Sequence, residues 1–478
     1  MSGRVLRVGK GEHDELRRRI AAIQAEQQVT ADFPAEVEAA AARSAEQVRL
    51  PDLDRTDIAF VTIDPPESRD LDQALHIERD GDGYVVHYAI ADLAAFITPG
   101  DPVDLEANRR GESLYGADSK IPLHPTSLSE GAASLLPDED RPALLWTVRL
   151  DRAGEGVDAR VERARVRSRA KLDYESCQRR IDDGSADDVL QLLREVGQLR
   201  SEREVERGGV DLPVPEQEVQ VDGPSWRLEF RKMLPVEAWN AQISLLTGFA
   251  AASMMVYGRV GILRTLPPPE PEAVKRLHRT AKALGVDWPA EQLYPDFIRS
   301  LDPATPSGAA VVMACTSLLR GAGYVGFDGE VPAEPEHAAL ASEYAHVTAP
   351  LRRLVDRYAL EVCVALTDGT TVPDWVLAKL EEVPATMQHS AQRAHAYERA
   401  VLDLVEAETL KGRVGESFTG VVVESEHDHP DRGVVTVRDL AVEAPVAATS
   451  GDPLPVGEEV TVRLAEADPA SRTVRFEL

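Results

Sequence analysis

The sequence predicts an α+β chain in three parts, and three observations carry that reading. Apolar residues recur at helical spacing over the first fifty positions, alternating strand-like runs from about 58 to 165 give way to helical patterns, and the last stretch is a series of short, evenly spaced alternating runs. The divisions fall at 1–54 for an N-terminal helical segment, 55–411 for a large domain with a mixed sheet and surrounding helices, and 412–478 for an all-β barrel of OB-fold type.

In the first part, EHDELRRRIAAIQAEQQ places Leu16, Ile20 and Ile23 on one helical face, and AEVEAAAARSAEQV opens after Pro34, which suits a helical first turn. The two are expected to pair as a small helical hairpin. IAFVTID, YVVHYAIAD (84–92) and ALLWTVRLD (143–151) read as strands, separated by turns at GDG, TPGDP and DEDRP. Helical patterns follow in KLDYESCQRRIDDG, DDVLQLLREVGQLRSEREVERG and VEAWNAQISLLTGFAAASMMVYG, then in PEAVKRLHRTAKALG, which stops at Gly285. The segment 374–411 is one long helix or two. Beyond it, GESFTGVVVESE, GVVTVRDLAVEAPV, EEVTVRLAEAD and SRTVRFEL supply five short strands, enough for one OB-type barrel.

With 478 residues, 43% of them hydrophobic, the chain can bury a sizeable core. No uninterrupted apolar window approaches the length of a membrane span and no apolar stretch follows the basic N-terminus, so a cytoplasmic protein without a membrane partner is expected. Cys177, Cys315 and Cys363 are odd in number and lack CxxC pairing, which argues against zinc or a disulfide framework. The net charge of −29 does not exclude a nucleic acid, because a strand drawn into an interior channel needs positive charge only along that channel. Local basic runs exist at RLEFRK (227–232), LRRLVDR (351–357) and RRGESLYGADSK (109–120).

The run TIDPPESRDLDQALHIE (62–78) brings Asp64, Asp70 and Asp72 close together in sequence. Residues two apart in extended chain project to one side, so Asp70 and Asp72 can face one point, with Asp64 returned to it by the proline turn. Carboxylates so placed repel unless they share a proton or a cation, and magnesium is the hard cation that suits them. Spacing alone fits solvated turn aspartates at least as well.

Context decides between these readings. DPPESRDLDQAL resembles the D-x5-D-x-D-D cluster of the RNB family of processive 3′-to-5′ exoribonucleases, the group of ribonuclease II and ribonuclease R, at every aspartate but the last. The run from YAIADLAAF through RRGESLYGADSKIPLHPTSL to DEDRPAL is similar to that family's next block, and YAHVTAPLRRLVDRY (344–358) to its Y-x-H-F-T-S-P-I-R-R-Y-x-D signature. The likeness covers roughly 55–410, with the C-terminal barrel matching the family's RNA-binding barrel. Members usually carry cold-shock barrels before the catalytic domain, so this chain is expected to be a short form.

The resemblance implies Asp64, Asp70 and Asp72 as metal-binding and catalytic acids holding Mg2+ (or Mn2+), and Arg352 as the arginine at the scissile phosphate. It implies RNA contacts by Tyr115 of RGESLY, Tyr174 of KLDYES, Glu237 of VEAWNAQ and Arg353; Phe418 is the most evident aromatic of the barrel. The implied activity is hydrolysis of single-stranded RNA from its 3′ end to nucleoside 5′-monophosphates, by a monomer with no small-molecule cofactor. Rival readings are a catalytically weak RNA-binding protein of the same fold and a narrow phosphodiesterase trimming tRNA or short oligonucleotides. His427 and His429 in EHDHP lack further ligands, and His124 and His346 are expected to be structural.

Gln73 stands where the family places a fourth aspartate. An amide offers a metal one neutral oxygen and no charge, so weaker magnesium binding is expected, and Gln73→Asp should raise activity or leave it unchanged. Ala349, in place of a serine, is a milder departure.

Overall fold

Strands Phe60–Ile63, Gln73–Asp80, Gly83–Ala91, Asp140–Leu150 and Gly156–Leu172 follow one another round a closed barrel in the computed structural model, which describes residues 14–116, 120–212, 216–222, 225–231 and 233–478. Neighbours run antiparallel except where the first strand meets the last in a parallel pair, Ile63 opposite Leu172. The sheet is mixed, as expected, but closed. The cause is the length of Gly156–Leu172, whose early residues pair with Asp140–Leu150 while its end reaches round to the first strand.

Alternation along Gly83–Ala91 shows how the barrel is filled. Tyr84, Val86, Tyr88 and Ile90 join one buried cluster with Trp146, whereas Ala89 and Ala91 join another with Phe60, Leu71 and Leu145. Both faces are covered, so every residue of the strand is buried.

The 24-residue helix Pro235–Gly258 packs against helices Asp188–Arg207 and Leu354–Asp368 and strand Val260–Thr265. Among the described residues it is the one helix long and apolar enough to cross a membrane, a reading that the interrupted apolar run had not suggested. Its packing makes it a core helix. Gly248, midway along it, lets the 344–352 segment lie on its surface: a Cβ there would stand 2.1 Å from the Tyr344 ring. The Ala345 N–H then donates to the Gly248 carbonyl at 3.2 Å.

The segment 374–411 resolves into a short turn, Asp374–Leu377, and one long helix, Glu382–Leu410. After it, strands Ser417–Ser425, Arg432–Val437, Val442–Ala447, Thr473–Glu477 and Glu459–Asp468 close a second barrel in that spatial order, with the third and fifth strands in chain order parallel. This is the five-stranded barrel expected from the spacing of its runs.

The N-terminal helices do not form a hairpin. Asp14–Glu26 puts Ile20 and Ile23 into the cluster of Tyr397, Val401 and the second barrel, and Arg472 pairs with Glu26 at 2.8 Å. Ala35–Gln47 instead buries Val37 and Ala41 against the first barrel's Phe60 and Leu71. Each amphipathic face finds a larger apolar surface than its neighbour could offer. Residues 227–231 of RLEFRK fall in the hairpin of strands Glu216–Asp222 and Ser225–Arg231, and the run's side chains lie outside the described residues, as do Lys232 and residues 117–119 of the RRGESLYGADSK run.

Candidate active site

The acids lie where the first barrel strand ends and the second begins. Asp64 follows Ile63 directly, and its N–H donates to the Leu172 carbonyl at 3.1 Å. Because those strands run parallel, their ends reach the same rim, and the chain beyond Leu172 turns at once into helix Tyr174–Asp182, capped by the Asp173 side chain. Tyr174 thereby comes beside Asp64, with Asn240 of the core helix donating to its hydroxyl at 3.4 Å. Lys171 donates to the carbonyls of Pro66 and Ser68 and so holds the proline turn between the acids.

Leu71 fixes the direction of its neighbours. It is fully buried, its N–H bonded to Ser134 Oγ at 3.0 Å, so Asp70 and Asp72 project the other way. Asp70 meets Lys120 Nζ at 2.8 Å, and the same ammonium lies 3.0 Å from Glu130. Asp72, only 4% exposed, accepts the Leu351 N–H at 2.7 Å and stands 3.6 Å from Arg352 Nε. Arg352 itself remains half-exposed, open to a ligand.

Burial raises the Asp72 carboxyl to about 8 and the Asp64 carboxyl to about 6, against the opposing pull of Arg352 on both. Without a further cation, burial leaves Asp72 holding its proton at neutral pH and Asp64 close to doing so. Hard oxygen donors that the protein's own cations do not suffice to ionise fit a divalent cation, and Asp64, Asp70 and Asp72 are the residues that would hold it. Among the described residues, no three acids or histidines are already closed round one point, so such an ion would draw Asp70 from Lys120.

The predicted RNA contacts divide into those that reach the site and those that do not. Tyr115, 36% exposed on a short strand whose pairing sets it opposite Lys120, feels the charges of Arg352, Asp70 and Asp72. Glu237 sits in the first turn of the core helix, its carboxylate accepting the Leu234 N–H at 3.1 Å, near Tyr174. Arg353 turns inward: its Nε and Nη2 both donate to Asp356, at 2.9 Å each. These two donors are committed to a buried carboxylate, against the expectation that Arg353 touches RNA. Phe418 is likewise corrected, being 9% exposed in the second barrel's core, edge-on to Phe476 with ring centroids 6.0 Å apart. A residue filling that core presents no face to a base.

His124, buried and driven down to about 3, and His346, also pushed well below its usual value by burial and bonded to the Tyr324 hydroxyl at 2.7 Å, are uncharged structural groups. His427 and His429 lie exposed, outside any described metal cluster. The three cysteines are all buried thiols. Lys120 and Lys171 were missed by sequence reasoning, although Lys120 lay inside a quoted basic run. Tyr88, whose hydroxyl reaches Gln73, carried no signal beyond its place on a strand.

The family model described as the RNB domain matches residues 53–366, and that of the RNase II-type exonuclease C-terminal S1 domain matches residues 416–478. Ribonuclease R 1 of Lactococcus lactis subsp. lactis is 24% identical over 463 residues, covering 88% of this chain and 55% of that protein. The chain thus spans little more than half of that relative's length. The structure of Mycoplasma genitalium RNase R in complex with ribose-methylated single-stranded RNA superposes with a TM-score of 0.86 at 19% identity, over 98% of this chain and 79% of that one. Yeast Ssd1, described as a pseudonuclease, superposes with a TM-score of 0.71 at 15% identity, over 96% of this chain and 58% of that one.

Proposed function

The chain belongs to the RNB family, and from that premise we propose that it is a metal-dependent hydrolytic 3′-to-5′ exoribonuclease acting on single-stranded RNA in the cytoplasm. The observation that carries the reading is the meeting of Asp64, Asp70 and Asp72 with a half-exposed Arg352 at one barrel rim, from segments almost 300 positions apart. Structural acids would be sealed by their partners; here a cation remains available to a phosphate beside acids that lack full compensation.

The residues divide the work by what they can reach. Arg352 faces the last phosphodiester and stabilises the charge that develops on it. Tyr115 offers an aromatic face to the terminal base, and Tyr174 with Asn240 bounds the far side beside Asp64. Asp64, Asp70 and Asp72 would hold Mg2+, which supplies water of lowered pKa and offsets phosphate charge. Lys120 and Lys171 keep the aspartate loop in place around them. The products expected are nucleoside 5′-monophosphates.

A second reading has specific support in Gln73, which removes one acid from the family cluster: a protein that grips RNA without cutting it. Incubating a uniformly labelled RNA with a single-stranded 3′ end, in Mg2+, Mn2+ or EDTA, separates the two. Metal-dependent appearance of mononucleotides is expected. Stable RNA binding with no release in either metal would leave the RNA-binding reading standing.

A further inference from the structure

Gln73 spans the gap between the second barrel strand and the turn that carries Arg352. Its Nε2 donates to the Thr348 carbonyl at 2.5 Å, and its Oε1 accepts the Tyr88 hydroxyl at 2.9 Å. The orientation is dictated by the partners: a backbone carbonyl can only accept, so the amide nitrogen must face it. Tyr88 is fully buried, which pushes its phenol well above the usual value and keeps it a donor to the amide oxygen. Both polar atoms of Gln73 are thus engaged by the protein, the oxygen through one of its two lone pairs.

The turn that Gln73 grips is anchored at almost every residue. Thr348 Oγ1 lies 2.8 Å from Ser244 Oγ, the Ala349 N–H donates to Asp356 at 2.6 Å, and the Leu351 N–H donates to Asp72 at 2.7 Å. At its end, the Arg352 carbonyl accepts the Ser113 N–H at 3.0 Å. Gln73 supplies the one anchor that comes from the strand immediately following Asp72. The acid and the arginine are therefore joined twice, through adjacent residues at the start of one strand to the two ends of one turn.

We propose that Gln73 is a positioning residue for Arg352, a hydrogen-bonded strut in place of a metal-binding carboxylate. A carboxylate at 73 would set acceptor against acceptor at the Thr348 carbonyl, and an aspartate would also fall a methylene short. The family's aspartate and this glutamine are not interchangeable on this backbone, so in place of the expectation that Gln73→Asp raises activity or leaves it unchanged, activity falls. The inference rests on the proposed function for its kinetic expression, whereas its effect on RNA binding stands without hydrolysis.

The test is a pair of double-mutant cycles read on the Kd of a short 3′-hydroxyl oligoribonucleotide in EDTA, using the whole chain. Gln73→Glu, which keeps size and removes the donor, is expected to weaken binding about tenfold alone and less than about threefold once Arg352→Ala is present. In the control cycle with Tyr115→Ala the same substitution keeps its full tenfold effect, which a general loosening of the fold would not reproduce. If Gln73→Glu does not fold by thermal unfolding, Gln73→Met serves in its place. Additivity with Arg352→Ala, or metal-dependent release by Gln73→Asp above that of the native chain, overturns the proposal. Absence of release from the native chain defeats the exonuclease reading alone, since the Kd cycles still decide the role of Gln73.

Discussion

Asp72 and Leu351 lie 279 positions apart in the chain and meet at 2.7 Å, the Leu351 backbone N–H donating to Asp72 Oδ1. One acid therefore fixes the turn from which the next residue, Arg352, projects. Its second oxygen faces the Arg352 guanidinium at 3.6 Å. The acid cluster and the phosphate-facing cation are one assembly, so a change at Asp72 can be made to touch charge while sparing geometry.

Asp72→Asn is that change. The asparagine Oδ1 can still accept the Leu351 N–H, while its NH2 replaces the oxygen that faces Arg352 and, with a cation present, the metal. Mononucleotide release is expected to fall by about a hundredfold or more, the cost of removing one preorganised charge from a transition state. The Kd for RNA in EDTA should move by less than about threefold, because Arg352 keeps its anchor. Full activity in this variant would remove Asp72 from the mechanism.

The raised acids give stability a defined pH slope. Asp72 at about 8, Glu398 at about 7 and Asp64 at about 6 all hold protons more tightly in the folded chain than in the unfolded one, where carboxyls titrate near 4. Between about pH 7 and pH 8 the folded state binds more of these protons, so stability falls as pH rises, whereas at lower pH the opposite slope of the buried His124, His337 and His346, which give up their protons on folding, offsets it. In EDTA, Tm is expected to decline from pH 7 to pH 8, with a smaller decline in Asp72→Asn. Magnesium, which needs the deprotonated carboxylates, should raise Tm more at pH 8 than at pH 5.5. A Tm that rises from pH 7 to pH 8 in EDTA would contradict the burial assigned to these acids.

What was legible in the sequence was whatever lies in side-chain identity and spacing. The spacing of Asp64, Asp70 and Asp72 fitted turn aspartates at least as well, and it was the resemblance of the cluster, with the distant LRRLVDR run, that singled them out. The pairing of Gln73 was not legible because its partner, the Thr348 carbonyl, is a backbone group that any residue would carry. Arg353 was misread because two adjacent arginines do not say which one faces out; the clue available was Asp356, three residues on, at a spacing that lets it capture the earlier side chain. Phe418 failed for a related reason. Alternation shows which residues share a strand face, but closure of the barrel decides which face is inside. The helical hairpin failed because two amphipathic patterns reveal apolar faces and not the larger surfaces that cover them.

Tyr115 and Phe418 should respond oppositely to truncation. Tyr115→Ala removes an exposed ring and is expected to weaken RNA binding by about 1–3 kcal/mol, roughly five- to hundredfold in Kd, with Tyr115→Phe retaining most of the affinity. Phe418→Ala opens a cavity in the second barrel and should cost about 3–5 kcal/mol of stability by denaturant unfolding. The Kd of its folded form should stay close to native. A large loss of affinity at undiminished stability in Phe418→Ala would return that ring to the RNA path.

Lys120 offers the most direct reading of the metal site. Its ammonium sits between Asp70 at 2.8 Å and Glu130 at 3.0 Å and is only 21% exposed, so it offsets charge at the place a cation would use. Lys120→Met keeps the aliphatic stem and removes that charge. In EDTA the variant is expected to lose stability, by about 1–3 kcal/mol, because Asp70 and Glu130 then stand in a half-buried site without their partner. Magnesium should restore more of that loss than it adds to the native chain, and the concentration giving half of the thermal stabilisation should drop several-fold. Competition between an ammonium and a divalent ion for one carboxylate predicts this sign; weaker magnesium binding in Lys120→Met would instead mean that the lysine organises Asp70 for the metal.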